Sequence, residues 1–370
     1  MEDPVVKSPL RRFRDAHEHE ILRVLREYGP RTRHELHEET GLSRTTLYAI
    51  INDLVDSGAI VESASTEIRG RGRPVTTLSL DTSASKVVGV ELGRGHISVA
   101  IANLAHQIIA SSTQTLALSH TAREIADAAI STIEQALSSN RLSTGKLEKI
   151  VIGTPLFFGG ESRYVEEIQT DIAAHIEHRF GTSPLFENNA RLVALAEMHF
   201  GTARDVDDLL YVHLDEGVGG GIVLSRRIMD GPHGRAGEVG HISVDASGPD
   251  CWCGGKGCLE RYLALPRLAE TLKETVPALL ADPLLLSRIG EHLDLLSRVI
   301  AGQLSALDLR VAVLGGALGQ VDGVAARVIT QVRAIVPAYI RDEVDIRVAT
   351  LGALGSARGA IVLGLADGPP

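Results

Sequence analysis

All three cysteines of this chain fall within eight consecutive positions, Cys251, Cys253 and Cys258, and His241 lies ten residues ahead of the first. The stretch reads Gly237-Glu238-Val239-Gly240-His241, then Cys251-Trp252-Cys253-Gly254-Gly255-Lys256-Gly257-Cys258-Leu259-Glu260. Three thiols leave one over in any disulfide scheme. One imidazole and three thiolates within eighteen residues are instead the ligand set of a closed tetrahedral zinc site, and the glycines let a loop fold round the ion. Such a site contributes on the order of 10 kcal/mol to local folding. A structural Zn2+ is expected over 241–258, held by His241, Cys251, Cys253 and Cys258.

Around that loop, 370 residues with 44% hydrophobic side chains have the length for two or three domains. Aromatics are only 4%, so Leu, Val, Ala and Ile must fill the cores. No run approaches the roughly 20 apolar residues of a membrane span. The opening MEDPVVKSPLRRFRD lacks the apolar centre of a secretory signal. A soluble, cytoplasmic protein with no membrane partner is expected. Charge divides unevenly: residues 1–80 hold 12 Lys/Arg against 13 Asp/Glu, leaving 25 against 34 in the remainder. A surface for nucleic acid therefore belongs at the N-terminus, where arginines cluster locally.

His17 to Tyr28 reads as a helix with Ile21, Leu22 and Leu25 on one face, ended by Gly29-Pro30. Thr32-Arg33-His34-Glu35 has capping-box spacing for a second helix that stops at Gly41. Ser43 can cap a third, Arg44 to about Ser57, with Leu47, Ile50, Ile51 and Leu54 inward. Two short helices joined by a tight glycine-containing turn are the helix-turn-helix arrangement, in which the first turn of the second helix meets base edges. Ala59–Glu62 and Thr76–Leu80 read as the two strands of a wing whose tip is Arg69-Gly70-Arg71-Gly72-Arg73-Pro74. Arginines spaced by glycine suit a narrow A·T-rich minor groove. The candidate DNA contacts are Ser43, Arg44, Thr45, Thr46 and Tyr48 on the helix, with Arg69, Arg71 and Arg73 on the wing. The alternative is a three-helix module for protein contacts with a solvated arginine loop. His17, His19, His34 and His37 read as surface residues of the first two helices.

From Lys86 the pattern changes to strands alternating with helices. Strands are expected at Val87–Gly93, His96–Ile101, Lys149–Gly153, Leu209–Leu214, Gly221–Leu224 and Val311–Leu314, with a helix at Thr121–Leu137. Two similar cycles imply two α/β lobes with a cleft between them. The run Leu284-Leu285-Leu286 with Ile289, Leu293, Leu295 and Leu296 reads as helical core or dimer surface.

Glu238-x-Gly-His followed by CxCGxxGCxE resembles the signature of the ROK family, which contains bacterial sugar kinases and sugar-responsive transcription regulators. The regulators carry an N-terminal winged helix-turn-helix, and the resemblance covers essentially the whole chain. It implies a winged helix-turn-helix over 1–82 and, over 83–370, a two-lobed actin-like, hexokinase-like (ribonuclease H-like) α/β domain with the zinc loop. It further implies that Asn188, Asn189, Glu238, His241 and Glu260 hold sugar hydroxyls, His241 serving zinc as well.

Three positions speak against phosphoryl transfer. Where the family's kinases read DxGGTK, this chain has Glu91-Leu92-Gly93-Arg94-Gly95-His96; before the second glycine loop, Asp215-Glu216-Gly217-Val218-Gly219-Gly220-Gly221, it places Glu216, which repels phosphate. Where the kinases read ENDA, with the aspartate as base, it reads Glu187-Asn188-Asn189-Ala190. An amide cannot take the substrate proton, and loss of a positioned base costs about 10²–10⁴-fold. No catalytic residue is assigned. The substrate loop Gly153-Thr154-Pro155-Leu156 departs from the family's GxPG, which alters one wall of the pocket. Gly315-Gly316-Ala317-Leu318 reads as a structural turn, and Trp252 as packing for the zinc loop. The expectation is a non-enzymatic repressor of carbohydrate-uptake or catabolic genes, a homodimer or tetramer on a pseudo-palindromic, A·T-flanked operator, answering to a sugar or sugar phosphate. The alternatives are an active ATP-dependent ROK sugar kinase and an effector-blind DNA-binding scaffold.

Overall fold

The helix-turn-helix begins where its capping residues dictate. In the computed structural model, which describes residues 9–64, 76–81, 86–93, 95–116, 121–142, 147–155 and 162–366, α1 (Pro9–Tyr28) leads through the two-residue β1 (Arg31–Thr32) into α2 (Arg33–Thr40) and α3 (Arg44–Asp56). Thr32 Oγ1 accepts from the Glu35 N–H, and Glu35 Oε2 accepts in return from the Thr32 N–H, which satisfies two donors that a helix start leaves open. Gly41 ends α2 at φ 66°, a left-handed conformation open to glycine. Ser43 then caps α3 by accepting from the Thr46 N–H. Leu47, Ile50, Ile51 and Leu54, one stripe of α3, close on Ile21, Val24, Leu25 and Leu36. The wing strands β2 (Ile60–Ala64) and β3 (Thr76–Leu80) are antiparallel, and β3 also pairs with β1. The wing tip with Arg69, Arg71 and Arg73 lies outside the described residues.

The expected two cycles are present, with the same strand order in each. The first sheet runs β6-β5-β4-β7-β8, built from β4 (Lys86–Leu92), β5 (His96–Asn103), β6 (Ile108–Thr115), β7 (Leu147–Thr154) and β8 (Leu185–Asn188). Helix α4 (Ala122–Ser139) connects β6 to β7, and α5 (Ser162–Phe180) connects β7 to β8. After α6 (Asn189–His199) the second sheet runs β11-β10-β9-β12-β13, from β9 (Leu209–Leu214), β10 (Val218–Leu224), β11 (Arg227–Ile228), β12 (Val311–Gly315) and β13 (Asp345–Val348). In both sheets the first three strands are antiparallel and the last two parallel to the first. Between β11 and β12 lie the cysteine-rich loop and the helices α7 (Glu260–Leu263), α8 (Leu265–Leu272), α9 (Val276–Leu280), α10 (Leu285–Arg288) and α11 (Gly290–Leu307). Then come α12 (Gly316–Gly319), α13 (Val324–Ile335) and the last helix, α14 (Gly355–Ala366).

Leu285, Ile289, Leu293 and Leu296 are core of the second lobe, packed with Val324, Val328 and Val332 of α13; Leu284 beside them is exposed. Helices α6 and α14 pack on one another, α14 also on β4, β5 and β7 of the first sheet and α6 on β9 and β10 of the second. Glycine permits that approach: a Cβ on Gly89 of β4 would collide with the Ala357 carbonyl of α14. Among the described residues no helix is long and apolar enough to cross a membrane.

Candidate effector cavity, metal loop and DNA-facing helix

Between the sheets lies a cavity of about 1270 Å³. Its walls come from the ends of β4 and β5 (Glu91, His96), the β8–α6 junction (Asn188, Asn189), the β9–β10 turn (Asp215, Glu216), and Trp252 with Glu260. Of the residues assigned to a sugar, Asn188, Asn189 and Glu260 line it, whereas Glu238 and His241 are not among its lining residues. Asn188 caps α6, its Oδ1 accepting from the Ala190 N–H at 2.8 Å. Asn189, expected from the family resemblance at the kinases' base position, is tied on both sides. Its Nδ2 donates to the Leu92 carbonyl at 3.1 Å, and its Oδ1 accepts from Ser356 Oγ at 2.7 Å. The amide thus bolts β4 to α14, a use that sequence reasoning did not foresee.

Glu260 is buried and accepts from the Val218 N–H at 3.2 Å and from Trp252 Nε1 at 2.5 Å. Trp252 packs the metal loop as the sequence leads one to expect and has a second role. It does pack edge-on against His241, with ring centroids 4.7 Å apart, but it is 46% exposed and forms part of the cavity wall. Glu197 was not singled out either. It is fully buried, and its carboxylate accepts from the backbone N–H groups of Thr202, Thr350 and Leu351, joining α6 to the loop before α14. Burial pushes the Glu187 and Glu238 carboxyls up from their ordinary value, while Arg191 beside each opposes the shift.

In the metal loop the four side chains converge. Each of His241, Cys251, Cys253 and Cys258 offers a ligand atom, and these atoms lie within 4.8 Å of one another. Cys253 Sγ is 3.6 Å from Cys258 Sγ, and Cys251 Sγ is 3.7 Å from His241 Nδ1. Four ligands at about 2.3 Å from a central ion have tetrahedral edges of about 3.8 Å, so the spacing suits a metal of zinc's size. Burial raises the Cys251 thiol and takes Cys258 up to about 12. Thiols held up in this way give up their protons where a cation offsets the thiolate charge. Gly257, at φ 59°, brings the loop against Asp245: a Cβ there would strike the Asp245 carbonyl. The group can hold a metal ion.

On the head, Arg44, Thr45 and Tyr48 are exposed at the start of α3. Ser43 and Thr46 are engaged with each other, their hydroxyls 2.8 Å apart, so the pair forms the cap. Arg33 of α2, not anticipated as a site residue, stands 5.3 Å over the Tyr48 ring and pairs with Glu62 of the wing. It fixes Tyr48 on the face that α3 presents.

A helix-turn-helix with a wing, carried by two lobes of equal strand order with a cysteine-rich loop beside their cavity, defines the class of molecule. Residues 14–61 match the winged helix-turn-helix DNA-binding family, and residues 87–366 match the ROK family. The chain belongs to the ROK family. It is 29% identical over 250 residues to the DNA-binding transcriptional dual regulator NagC of Escherichia coli, a match spanning 66% of this chain and 61% of that protein. It is 27% identical over 258 residues to the xylose repressor of Bacillus subtilis, covering 68% of this chain and 67% of the repressor. The fold of a ROK family transcriptional regulator, a homologue of the E. coli Mlc protein, superposes over 96% of this chain and 97% of that one with a TM-score of 0.79 at 21% identity. A ROK hexokinase from Thermus thermophilus covers 75% of this chain and 97% of its own, with a TM-score of 0.61 at 28% identity.

Proposed function

We propose that this chain is a sugar-responsive transcription repressor without kinase activity, stabilised by one structural Zn2+ on His241, Cys251, Cys253 and Cys258. The observation that carries the reading is the pairing of two sites in one chain: an exposed recognition-helix start, and a two-lobed cavity whose base position holds an amide already tied to Leu92 and Ser356. The relatives that carry repressor names support it, and the kinase neighbours share the fold of the second part. Arg44, Thr45 and Tyr48 contact bases, and Arg69, Arg71 and Arg73 reach the minor groove of A·T-rich flanks. Two-fold pairing of chains sets two recognition helices about 34 Å apart on a pseudo-palindrome. Asn188, Asn189 and Glu260 form the sugar side of the cavity; Glu238 and His241 join it on closure of the lobes.

Helix α6 gives the cavity a route to the head. It starts at its cap Asn188, in the cavity wall, and ends at His199. The His199 ring lies 6.1 Å from that of His106, in the β5–β6 turn, and His106 Nε2 accepts from Arg26 of α1 at 3.2 Å. A sugar that draws the lobes together moves this seat, and a coupling of about 1–3 kcal/mol changes operator affinity roughly 5–150-fold. Two assays on the purified protein test the reading: ATP-dependent phosphorylation over a panel of sugars, and binding to the DNA upstream of its own gene. Specific binding without phosphoryl transfer is expected. Sugar phosphorylation at rates typical of kinases, about 1–100 per second, would replace the repressor reading with the kinase one.

A further inference from the structure

Around the two glycine-containing turns of the cavity, several backbone donors are already taken by the chain's own acceptors. In the β9–β10 turn the Asp215 N–H donates to the Gly217 carbonyl at 3.0 Å. The Glu216 N–H donates to Asp215 Oδ1 at 3.0 Å, and the Val218 N–H to Glu260 Oε2 at 3.2 Å. These amides would have to face outward to cradle an anion. Across the cavity the Gly93 N–H donates to the His96 carbonyl at 2.9 Å, and the His96 imidazole covers Gly93 so closely that a Cβ there would run into the ring. Asp215 Oδ2 is likewise fixed, accepting from the Ala317 N–H at 2.8 Å.

The charges point the same way. Among the described residues the cavity wall contains Glu91, Glu197, Asp215, Glu216 and Glu260 and neither lysine nor arginine; Arg94, between Gly93 and His96, lies outside the described residues. Its two histidines do not reverse the sign. His96 Nε2 stands 3.7 Å from Glu91 Oε1 and is neutralised by it when protonated. His213 is held neutral by burial, which lowers it from its ordinary value, and its Nδ1 is 2.9 Å from the Tyr211 hydroxyl. A phosphate ester needs N–H donors or cations, whereas a sugar hydroxyl donates as readily as it accepts and suits a wall of carboxylates and amides.

We infer that the cavity takes an uncharged polyhydroxyl ligand, a free sugar, and discriminates against sugar phosphates and nucleotides through the acceptor-filled turn at Asp215–Val218 and the ring of His96 over Gly93. The inference rests on the sugar-sensing reading and narrows its ligand class. Calorimetric titration of the full chain with D-glucose, D-xylose and N-acetyl-D-glucosamine, each against its own phosphate ester, and with ATP, tests it. At least one free sugar is expected to bind tenfold or more tightly than its ester, with ATP silent. Glu216 is exposed, so Glu216→Gln leaves folding intact, and it should narrow the gap between sugar and ester by weakening the rejection of the ester. An ester that binds as tightly as its parent sugar, or tighter, overturns the inference and leaves sugar sensing standing. A chain that binds DNA but no compound of either kind overturns both.

Discussion

Asn189 of the cavity wall serves as a structural tie between β4 and α14. Both halves of its amide are used, by partners 97 and 167 residues away in sequence. An aspartate there would set a carboxylate against the Leu92 carbonyl and lose the donor, so Asn189→Asp is expected to destabilise the chain by about 1–3 kcal/mol. It is not expected to generate sugar phosphorylation, because the N–H groups of Asp215, Glu216 and Val218 are already bonded; urea unfolding and an ATP-coupled assay read the two effects. The residue type at this position was legible in the sequence, since an amide cannot act as the base. Its partners were not, because nothing local in Asn188-Asn189-Ala190 points to Leu92 or Ser356. The bond of Trp252 to Glu260 was illegible for the same reason: it is made across the metal loop only once the loop is closed.

At the scale of elements, caps and spacing carried most of the information. Thr32 and Thr121 form capping boxes at the starts of α2 and α4, and Thr76–Leu80 is a strand over the expected residues. Helix α14, GSARGAIVLGLA, was missed because most of its residues are buried, which leaves no polar face to set a period. The half-polar β6 and the four-residue β8 offered too little pattern to be read. The metal loop is the element whose chemistry the sequence states most directly. Trp252 is the chain's one tryptophan and packs on His241, so its fluorescence reports the loop. Cys253→Ser is expected to lower bound zinc well below one equivalent by elemental analysis, to shift Trp252 emission and to abolish the response to sugar; full zinc content or full response would count against the site. On the wing, Arg71→Ala with Arg73→Ala should weaken binding most on A·T-flanked operators and flatten its salt dependence. An unchanged slope would remove these arginines from the interface.

The molecule as a whole repeats one strand order, 3-2-1-4-5, in two lobes and seats its DNA-binding head on the first of them. The repeat was visible as two cycles of strands; the seat was not, because it joins a turn, a helix end and the head through single residues. Burial, followed by the charge of Arg26, lowers His106 to about 3, while burial with Arg226 and Arg26 lowers His199 to about 4. Both are neutral in the folded chain at pH 7, as they are in the unfolded chain. Below about 6.5 the unfolded chain takes up protons that the folded one refuses. Stability is therefore retained above that pH and lost as pH falls from about 6.5 toward 4, by on the order of 1–2 kcal/mol per histidine at pH 5. Urea midpoints at pH 7 and pH 5 measure the loss, and His199→Leu should reduce it; a variant with the parent's pH dependence would place the titration elsewhere.

The central claim is that a sugar in the cavity controls the grip of the head on DNA. Fluorescence anisotropy of a labelled upstream fragment, titrated with the full chain in the presence and absence of each free sugar, tests it most directly. At least one free sugar is expected to change operator affinity tenfold or more, about 1.4 kcal/mol of coupling. Tight, specific DNA binding that no sugar alters would contradict it.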